Sequence, residues 1–293
     1  LWAGTIGLEE GFAMRRTLDL RAVAAVANRG ERRQWYSISN ATEDEAEVFV
    51  YDVIGELWGY GLSASTFAQD IRNISAKKAT LRINSPGGLV DEAVAMRTAW
   101  DGLKAAKTTI IDGIAASSAS FVGLGSDRVL MAKGSRMMIH EAWGAMYGNK
   151  RDFRHEAAVL EQYDSDIADF YAAKAGGDRA GWLALMEQET WLPAAEAIAK
   201  GLADGMTEAA GAENRYDPIF LNIFENTPAD LLARNRGTTG KVDKRDAERA
   251  LRDAGLPAAA AKAVISGGWN TLDQEEAAIR RLTDQLKSYA GGS

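Results

Sequence analysis

The chain has 293 residues, 46% apolar and 26% charged, enough to build one or two compact cores and too balanced for a disordered, collagen-like or rod-forming chain. Its 41 acidic against 34 basic residues leave a formal charge of −7, which argues against general nucleic-acid binding. With no cysteine and only His140 and His155, it excludes thiol nucleophiles, disulfides and iron–sulfur or zinc–thiolate centres, and it leaves two imidazoles for any acid–base work. Residues 1–13 precede the first methionine, Met14; they lack the basic start and long apolar run of a signal peptide and are read as flanking or processed sequence. Residues 34–39 and 47–53 carry β-branched and aromatic side chains and predict strands, separated by a glycine-punctuated loop at 55–61 from a helix capped by Ser65, with Phe67, Ile71 and Ile74 on its apolar face. A short buried strand at 80–83 ends in the turn Asn84-Ser85-Pro86-Gly87-Gly88. A helix from Val90 to Leu103 follows, then a strand at 108–114, a small-residue turn into a helix at 116–125, and strands at 128–131 and 136–139.

This alternation predicts a layered α/β domain with a largely parallel sheet. The turns after Ile83 and Ile114 then face one crevice at the strand ends, where open sheets of this kind place their ligands. A long amphipathic helix is expected at 152–175, with Phe153, Ala157, Leu160, Ile167 and Phe170 on one face and Glu156, Glu161, Asp164 and Asp169 largely on the other. Shorter helices follow at 182–186 and 194–203, the second opened by Pro193. Composition changes after Gly211: residues 226–240 read as a linker, and helices are expected at 243–254, 256–266 and 271–289. No apolar run reaches the length of a membrane span. The chain therefore divides into a segment at 1–33, a domain at 34–210, and a linker with a helical extension at 211–293.

Three segments carry chemical potential. The Gly87-Gly88 pair permits backbone conformations closed to other residues and exposes N–H groups that can hold an extended peptide or an oxyanion. The run Gly113-Ile114-Ala115-Ala116-Ser117-Ser118-Ala119-Ser120 passes from strand to helix through small residues, so a serine there directs its hydroxyl into the crevice beside N–H groups of the helix start. His140 ends the apolar strand Met137-Met138-Ile139, whereas His155 lies in the charged stretch Arg154-His155-Glu156 and reads as solvated. A serine–histidine pair also needs an acid to orient the imidazole; Glu189, Asp204 and Asp178 are all placed to serve.

Together these segments resemble the Clp protease family of serine peptidases (ClpP), over about residues 35–205, with the nearest likeness to its phage head-maturation (prohead) branch. Asn84-Ser85-Pro86-Gly87-Gly88 resembles the family's N-S-P-G-G, Gly113 to Ser117 its G-x-A-A-S, and Met138-Ile139-His140 its M-I-H. Residues 194–204 (AAEAIAKGLAD) are similar to the segment that follows the family's catalytic acid, which puts Glu189 where an aspartate usually stands. The resemblance implies a ClpP/crotonase fold of repeated β-β-α layers, a long handle helix and a C-terminal helical extension. It also implies a catalytic triad of Ser117, His140 and Glu189, with Gly87, Gly88 and Ser118 as oxyanion and substrate-binding residues. It further implies a homo-oligomeric ring acting on polypeptide, with no cofactor, metal, nucleic acid or membrane partner.

The chain departs from the family at Glu189 and at Glu141-Ala142-Trp143-Gly144, which replaces the Q-P-L-G of housekeeping enzymes; the second departure, together with residues 244–255 (KRDAERALRDAG), which resemble the helical tail of the prohead enzymes, favours the phage branch. The expected substrate is then a scaffold or capsid protein, and the expected location the host cytoplasm, within an assembling prohead. The competing readings are an inactive capsid-assembly protein of the same fold, a crotonase-type acyl-CoA enzyme, and a Ser–Lys peptidase using Lys133 or Lys150.

Overall fold

A computed structural model describes residues 36–39, 42–55, 61–144, 148–208, 221 and 224–233, with isolated positions beyond. The chain divides into two compact units, one of residues 1–30 with 235–293 and one of residues 31–234. In the first, the backbone is helical at Arg245, Glu248, Arg252, Ala258 and Lys262. The segment at 1–33 and the body of the helices expected at 243–254, 256–266 and 271–289 lie outside the described residues.

The second unit is built on eight strands: β1 (Tyr36–Ser39), β2 (Glu45–Val50), β3 (Lys78–Ser85), β4 (Ala106–Ala116), β5 (Arg128–Ala132), β6 (Arg136–Ile139), β7 (Thr190–Pro193) and β8 (Gly205–Thr207). Their order is β1-β2-β3-β4-β5-β8, with β6 on β4 and β7 on β6. Every pairing is parallel except β1 on β2 and β7 on β6, as the β–α alternation predicts. The eleven-residue β4 forks the sheet. Thr108–Ile111 pair with β5, and Ile114–Ala116 pair with β6, so the two halves of β4 have different neighbours within one sheet.

The helices are α1 (Ala64–Arg72), α2 (Val90–Gly102), α3 (Ala119–Val122), α4 (Lys150–Ala175), α5 (Arg179–Glu187), α6 (Ala194–Ala199) and α7 (Ala229–Ala233). Where a side chain caps a helix, it supplies a partner for the free N–H groups of the first turn. The cap of α1 is Ser63, which accepts from the Thr66 N–H, rather than the expected Ser65. In α4, Asn149 and Asp152 form a reciprocal capping box, which sets the start two residues earlier than expected. The helix at 116–125 shrinks to the single turn of α3.

The core lies between the sheet and α1, α2, α4, α5 and α6, with Val48, Leu81, Ile83, Phe67, Met96, Trp100, Phe121 and Tyr171 fully or almost fully buried. Along β3 the alternating pattern gives way to continuous burial at Ile83, Asn84 and Ser85, so the strand enters the site covered on both faces. Several features depart from the sequence reading. The short strands β7 and β8 were not anticipated. Residues 226–233 are not an open linker but a turn and the short helix α7, with Leu231 buried. Asp164, assigned to the polar face of the long helix, is buried and accepts from the Ala142 N–H at 2.6 Å. At the start of the same helix His155 is open to solvent as expected, whereas Phe153 and Ala157, expected on the apolar face, are exposed, Phe153 at 54%.

Candidate active site

Three parallel strands, β3, β4 and β6, end together, and the turns that leave them meet. The turn after β3 is held by its own side chains. Asn84 is buried and its Oδ1 accepts from the Ile114 N–H at 3.0 Å, which ties β3 to the fork in β4. Ser85 Oγ donates to the Asp52 carbonyl at 2.6 Å and accepts from the Gly87 N–H at 3.1 Å. Gly87 and Gly88 have φ of +93° and +155°. The chain at Ile54 passes directly beneath them: Ile54 N–H donates to the Gly87 carbonyl, and Leu89 N–H donates to the Ile54 carbonyl, both at 2.9 Å. A Cβ on Gly88 would lie 2.0 Å from the Ile54 carbonyl oxygen, and one on Gly87 would lie 2.7 Å from the Ser117 Cβ. Only glycine fits at either position.

Ser117 follows the last residue of β4 with φ of 53°, a left-handed conformation that a serine adopts only when its surroundings impose it. Those surroundings are visible. The Ser117 N–H continues the β4–β6 pairing by donating to the Met138 carbonyl at 3.0 Å. The Ser117 carbonyl accepts from the Ser120 N–H at 2.9 Å and from Ser120 Oγ at 2.5 Å. Ser120 Oγ also meets the Tyr171 hydroxyl of α4 at 2.6 Å, and burial holds that phenol well above its ordinary pKa, so it stays neutral. The serine side chain is thereby turned out of the strand, and its Oγ lies 2.7 Å from Nε2 of His140, the residue after β6. His140 is only 5% exposed.

Ser118 sits at the cap of α3, and its Oγ donates to the Gly88 carbonyl at 3.2 Å. Among the described residues, no acceptor takes the N–H of Gly88 or of Ser118. The Gly87 N–H, in contrast, is engaged by Ser85.

Glu189 precedes β7. The antiparallel register pairs Ile139 with Thr190, and one step further it sets His140 opposite Glu189. Glu189 is 4% exposed and also has a positive φ, 47°. Both of its carboxylate oxygens accept hydrogen bonds: Oε1 from the Asn226 N–H at 2.6 Å and from Trp191 Nε1 at 3.4 Å, Oε2 from the Glu225 N–H at 2.9 Å. The other two candidate acids have structural work. Asp178 caps α5 through the Gly181 N–H at 2.8 Å. Asp204 accepts from the Val129 N–H at 2.7 Å and pairs with Lys174 at 2.8 Å; partial burial opposes ionisation there, but those bonds together with Arg128 hold its carboxyl below the ordinary range. Of the lysines weighed as bases, Lys133 and Lys150 are both exposed.

The structure therefore brings Ser117, His140, Gly87, Gly88 and Ser118 together and sets Glu189 across from His140. Sequence reasoning missed the surroundings: Asp164 beneath the chain after His140, the Ser120–Tyr171 pair behind Ser117, and Phe224, whose ring meets that of His140 edge-on at 5.4 Å between centroids. The apolar residues Leu221, Phe224 and Leu231 in a polar extension were the available signal for the last of these.

Comparison with known proteins places the chain in a family. The model of the Clp protease family matches residues 28–210. The chain is 32% identical over 131 residues to the ATP-dependent Clp protease proteolytic subunit of Pleurastrum terricola, spanning 44% of this chain and 67% of that one. It is 27% identical over 174 residues to the ATP-dependent Clp protease proteolytic subunit 1 of Protochlamydia amoebophila, spanning 57% and 82%. Among solved structures, a point mutant of ClpP1 from Listeria monocytogenes aligns with 56% of this chain and 92% of its own, at 19% identity and a TM-score of 0.49. The order of elements, the motifs at the strand ends and the span of the family match lead to one conclusion: the chain belongs to the Clp protease family.

Proposed function

We propose that the protein is a serine endopeptidase in which Ser117 is the nucleophile, His140 the general base and Glu189 the acid. The observation that carries this reading is the 2.7 Å contact between Ser117 Oγ and His140 Nε2, made by a serine held at a positive φ. An ordinary helix cap needs neither the strain nor the imidazole. His140 Nε2 takes the Ser117 proton as Oγ bonds to the scissile carbonyl carbon. The carbonyl oxygen becomes an oxyanion held by the N–H groups of Gly88 and Ser118, with Gly87 shaping the turn rather than donating. Collapse of that intermediate breaks the C–N bond, and His140 returns its proton to the leaving amine. Water then hydrolyses the acyl-enzyme by the same route reversed. Substrate lies along the free edge of Gly87–Leu89, whose other edge is occupied by Ile54, and main-chain bonds of this kind tolerate many sequences.

The protease domain is read as residues 34–210, with 211–293 as an extension. The protein assembles as a homo-oligomeric ring, with α4 as the handle joining two rings. The exposed first turns of α4, Phe153 included, support that assignment. The chain after His140 and the extension favour the head-maturation branch, with a scaffold or capsid polypeptide as substrate in the cytoplasm of an infected cell. No helix among the described residues is long and apolar enough to cross a membrane.

The test is fluorophosphonate labelling of the folded wild-type protein and of the Ser117→Ala and His140→Ala variants, with the modified peptide located by mass spectrometry. Labelling on Ser117 that requires both residues is expected. No labelling of folded wild-type protein would overturn the peptidase reading. Co-expression with the capsid and scaffold proteins of a phage head then tests the substrate; intact partners after co-expression with an enzyme that labels would refute the head-maturation role.

A further inference from the structure

The extension does not leave the protease domain after β8; it returns to the site. Leu221, Phe224 and Leu231 form a buried cluster with Ile114 and Ala116 of β4 and Met138 of β6, and Trp191 packs against it. These strand residues lie on the face opposite the main core, where Ala115, Met137 and Ile139 point. The segment is pinned at several places. Asp230 pairs with Arg136 at 2.9 Å. Asn226 Nδ2 donates to the Gln188 carbonyl at 3.0 Å. Thr227 Oγ1 donates to the Leu221 carbonyl at 2.7 Å and closes the turn on itself.

What the segment touches is specific. The Phe224 ring stands edge-on to both the His140 imidazole and the Trp191 indole, with centroids 5.4 and 5.9 Å away. The next two residues, Glu225 and Asn226, direct their backbone N–H groups onto the two oxygens of the Glu189 carboxylate. A carboxylate that is 4% exposed needs such donors, because a buried polar group without hydrogen-bond partners is costly. Glutamate also has one more rotatable bond than the aspartate usual in this family. Bonds to both oxygens remove that freedom.

We infer that Leu221 and residues 224–233 form a positioning strap. Phe224 fixes the imidazole plane of His140, and the N–H groups of Glu225 and Asn226 hold the Glu189 carboxylate in one orientation, so that a glutamate serves in place of an aspartate. This rests on the serine-peptidase reading. The strap is required for full reactivity and is not a plug, because its bonds go to the acid and to the ring edge of the base, while Ser117 Oγ and His140 Nε2 remain in contact with each other.

The experiment measures the second-order rate of fluorophosphonate labelling at Ser117, with a thermal unfolding curve for each variant of the full chain. The variants are Phe224→Ala, the conservative Phe224→Tyr, Asn226→Pro (which removes one N–H donor to Glu189), Glu189→Ala, and the Asn226→Pro/Glu189→Ala double. Displacing a base or acid by about an ångström slows such chemistry by up to roughly 100-fold. Phe224→Ala and Asn226→Pro are therefore expected to label ~10–100-fold more slowly. Phe224→Tyr should restore the rate, and Asn226→Pro should add nothing to Glu189→Ala, because the two act through one carboxylate. Labelling at the wild-type rate in Phe224→Ala and Asn226→Pro would overturn the proposal. So would faster labelling, which would make the segment an obstruction. Slowing that follows lost thermal stability, with no rescue by tyrosine and full additivity in the double variant, would also overturn it. Failure of the wild-type protein to label would be a different result: it would remove the peptidase reading itself, and the strap with it.

Discussion

Single residues beside the site carry charge where the surroundings oppose it. Asp52 lies at the end of β2, where its carbonyl receives Ser85, and burial pushes its carboxyl up to about 6. In the unfolded chain the same group titrates near ~3.9. Folding therefore takes up a proton between those values. The contribution of Asp52 is most favourable below the unfolded value and is lost as pH rises through 6. Asp52→Asn should raise stability at pH 8 by about 1–2 kcal/mol and by much less at pH 4.5, read from urea midpoints at the two pH values. The buried trio of Tyr51, Arg82 and Asp112 behaves differently. Asp112 accepts from the tyrosine hydroxyl at 2.6 Å and from two guanidinium nitrogens at 2.9 and 2.5 Å. Asp112→Ala leaves both partners without that carboxylate and should cost about 3–5 kcal/mol in the same unfolding experiment.

At the scale of elements, the site depends on how closely β3, β4 and β6 end beside one another. Gly113 occupies the fork in β4, and a Cβ there would lie 2.4 Å from Asn84 Oδ1, the atom that ties the two strands. Gly113→Ala should therefore loosen the turn after β3 and slow labelling at Ser117 by about 10-fold or more, while far-ultraviolet circular dichroism stays unchanged. On the other side, α2 is held by Trp100, fully buried, with its indole N–H on Ser126 Oγ at 2.8 Å. Trp100→Ala should cost about 3–5 kcal/mol, read from the unfolding midpoint. The long elements were legible because their patterns are long: β4 and α4 carry many residues of one period. The strands β7 and β8 have four and three residues, too few for a period to emerge, and they exist because β6 and β5 offer them open edges.

For the whole molecule, the proposed ring assembly rests on α4. Phe153 at 54% exposure contributes little to the folded chain, and in the proposed assembly it serves as the apolar anchor for a second copy. Phe153→Glu should leave the unfolding midpoint of the domain nearly unchanged while lowering the mass of the assembly by sedimentation analysis. An unchanged assembly would remove α4 as the ring-to-ring contact.

The segments that carry Ser117, His140 and the glycine pair stand out in the chain because they obey local rules, and the likeness to the Clp protease motifs singled out Ser117 among the serines. A positive φ selects glycine, a strand-to-helix junction selects small residues, and only two histidines compete for one role. The location of Glu189 opposite His140 depends on a strand register that no local pattern encodes, since Asp178 and Asp204 are equally acidic at similar separations in the sequence. The strap is further removed still. Leu221, Phe224 and Leu231 are ordinary residues in a mixed segment, and their burial requires the outer face of β4 and β6 to exist first. Local backbone chemistry thus marked the glycine turn, the small-residue junction after β4 and the histidine that follows β6. The placing of Glu189 across from His140 and the return of the extension were decided by tertiary packing, because contacts between residues tens of positions apart are made only after the sheet has formed.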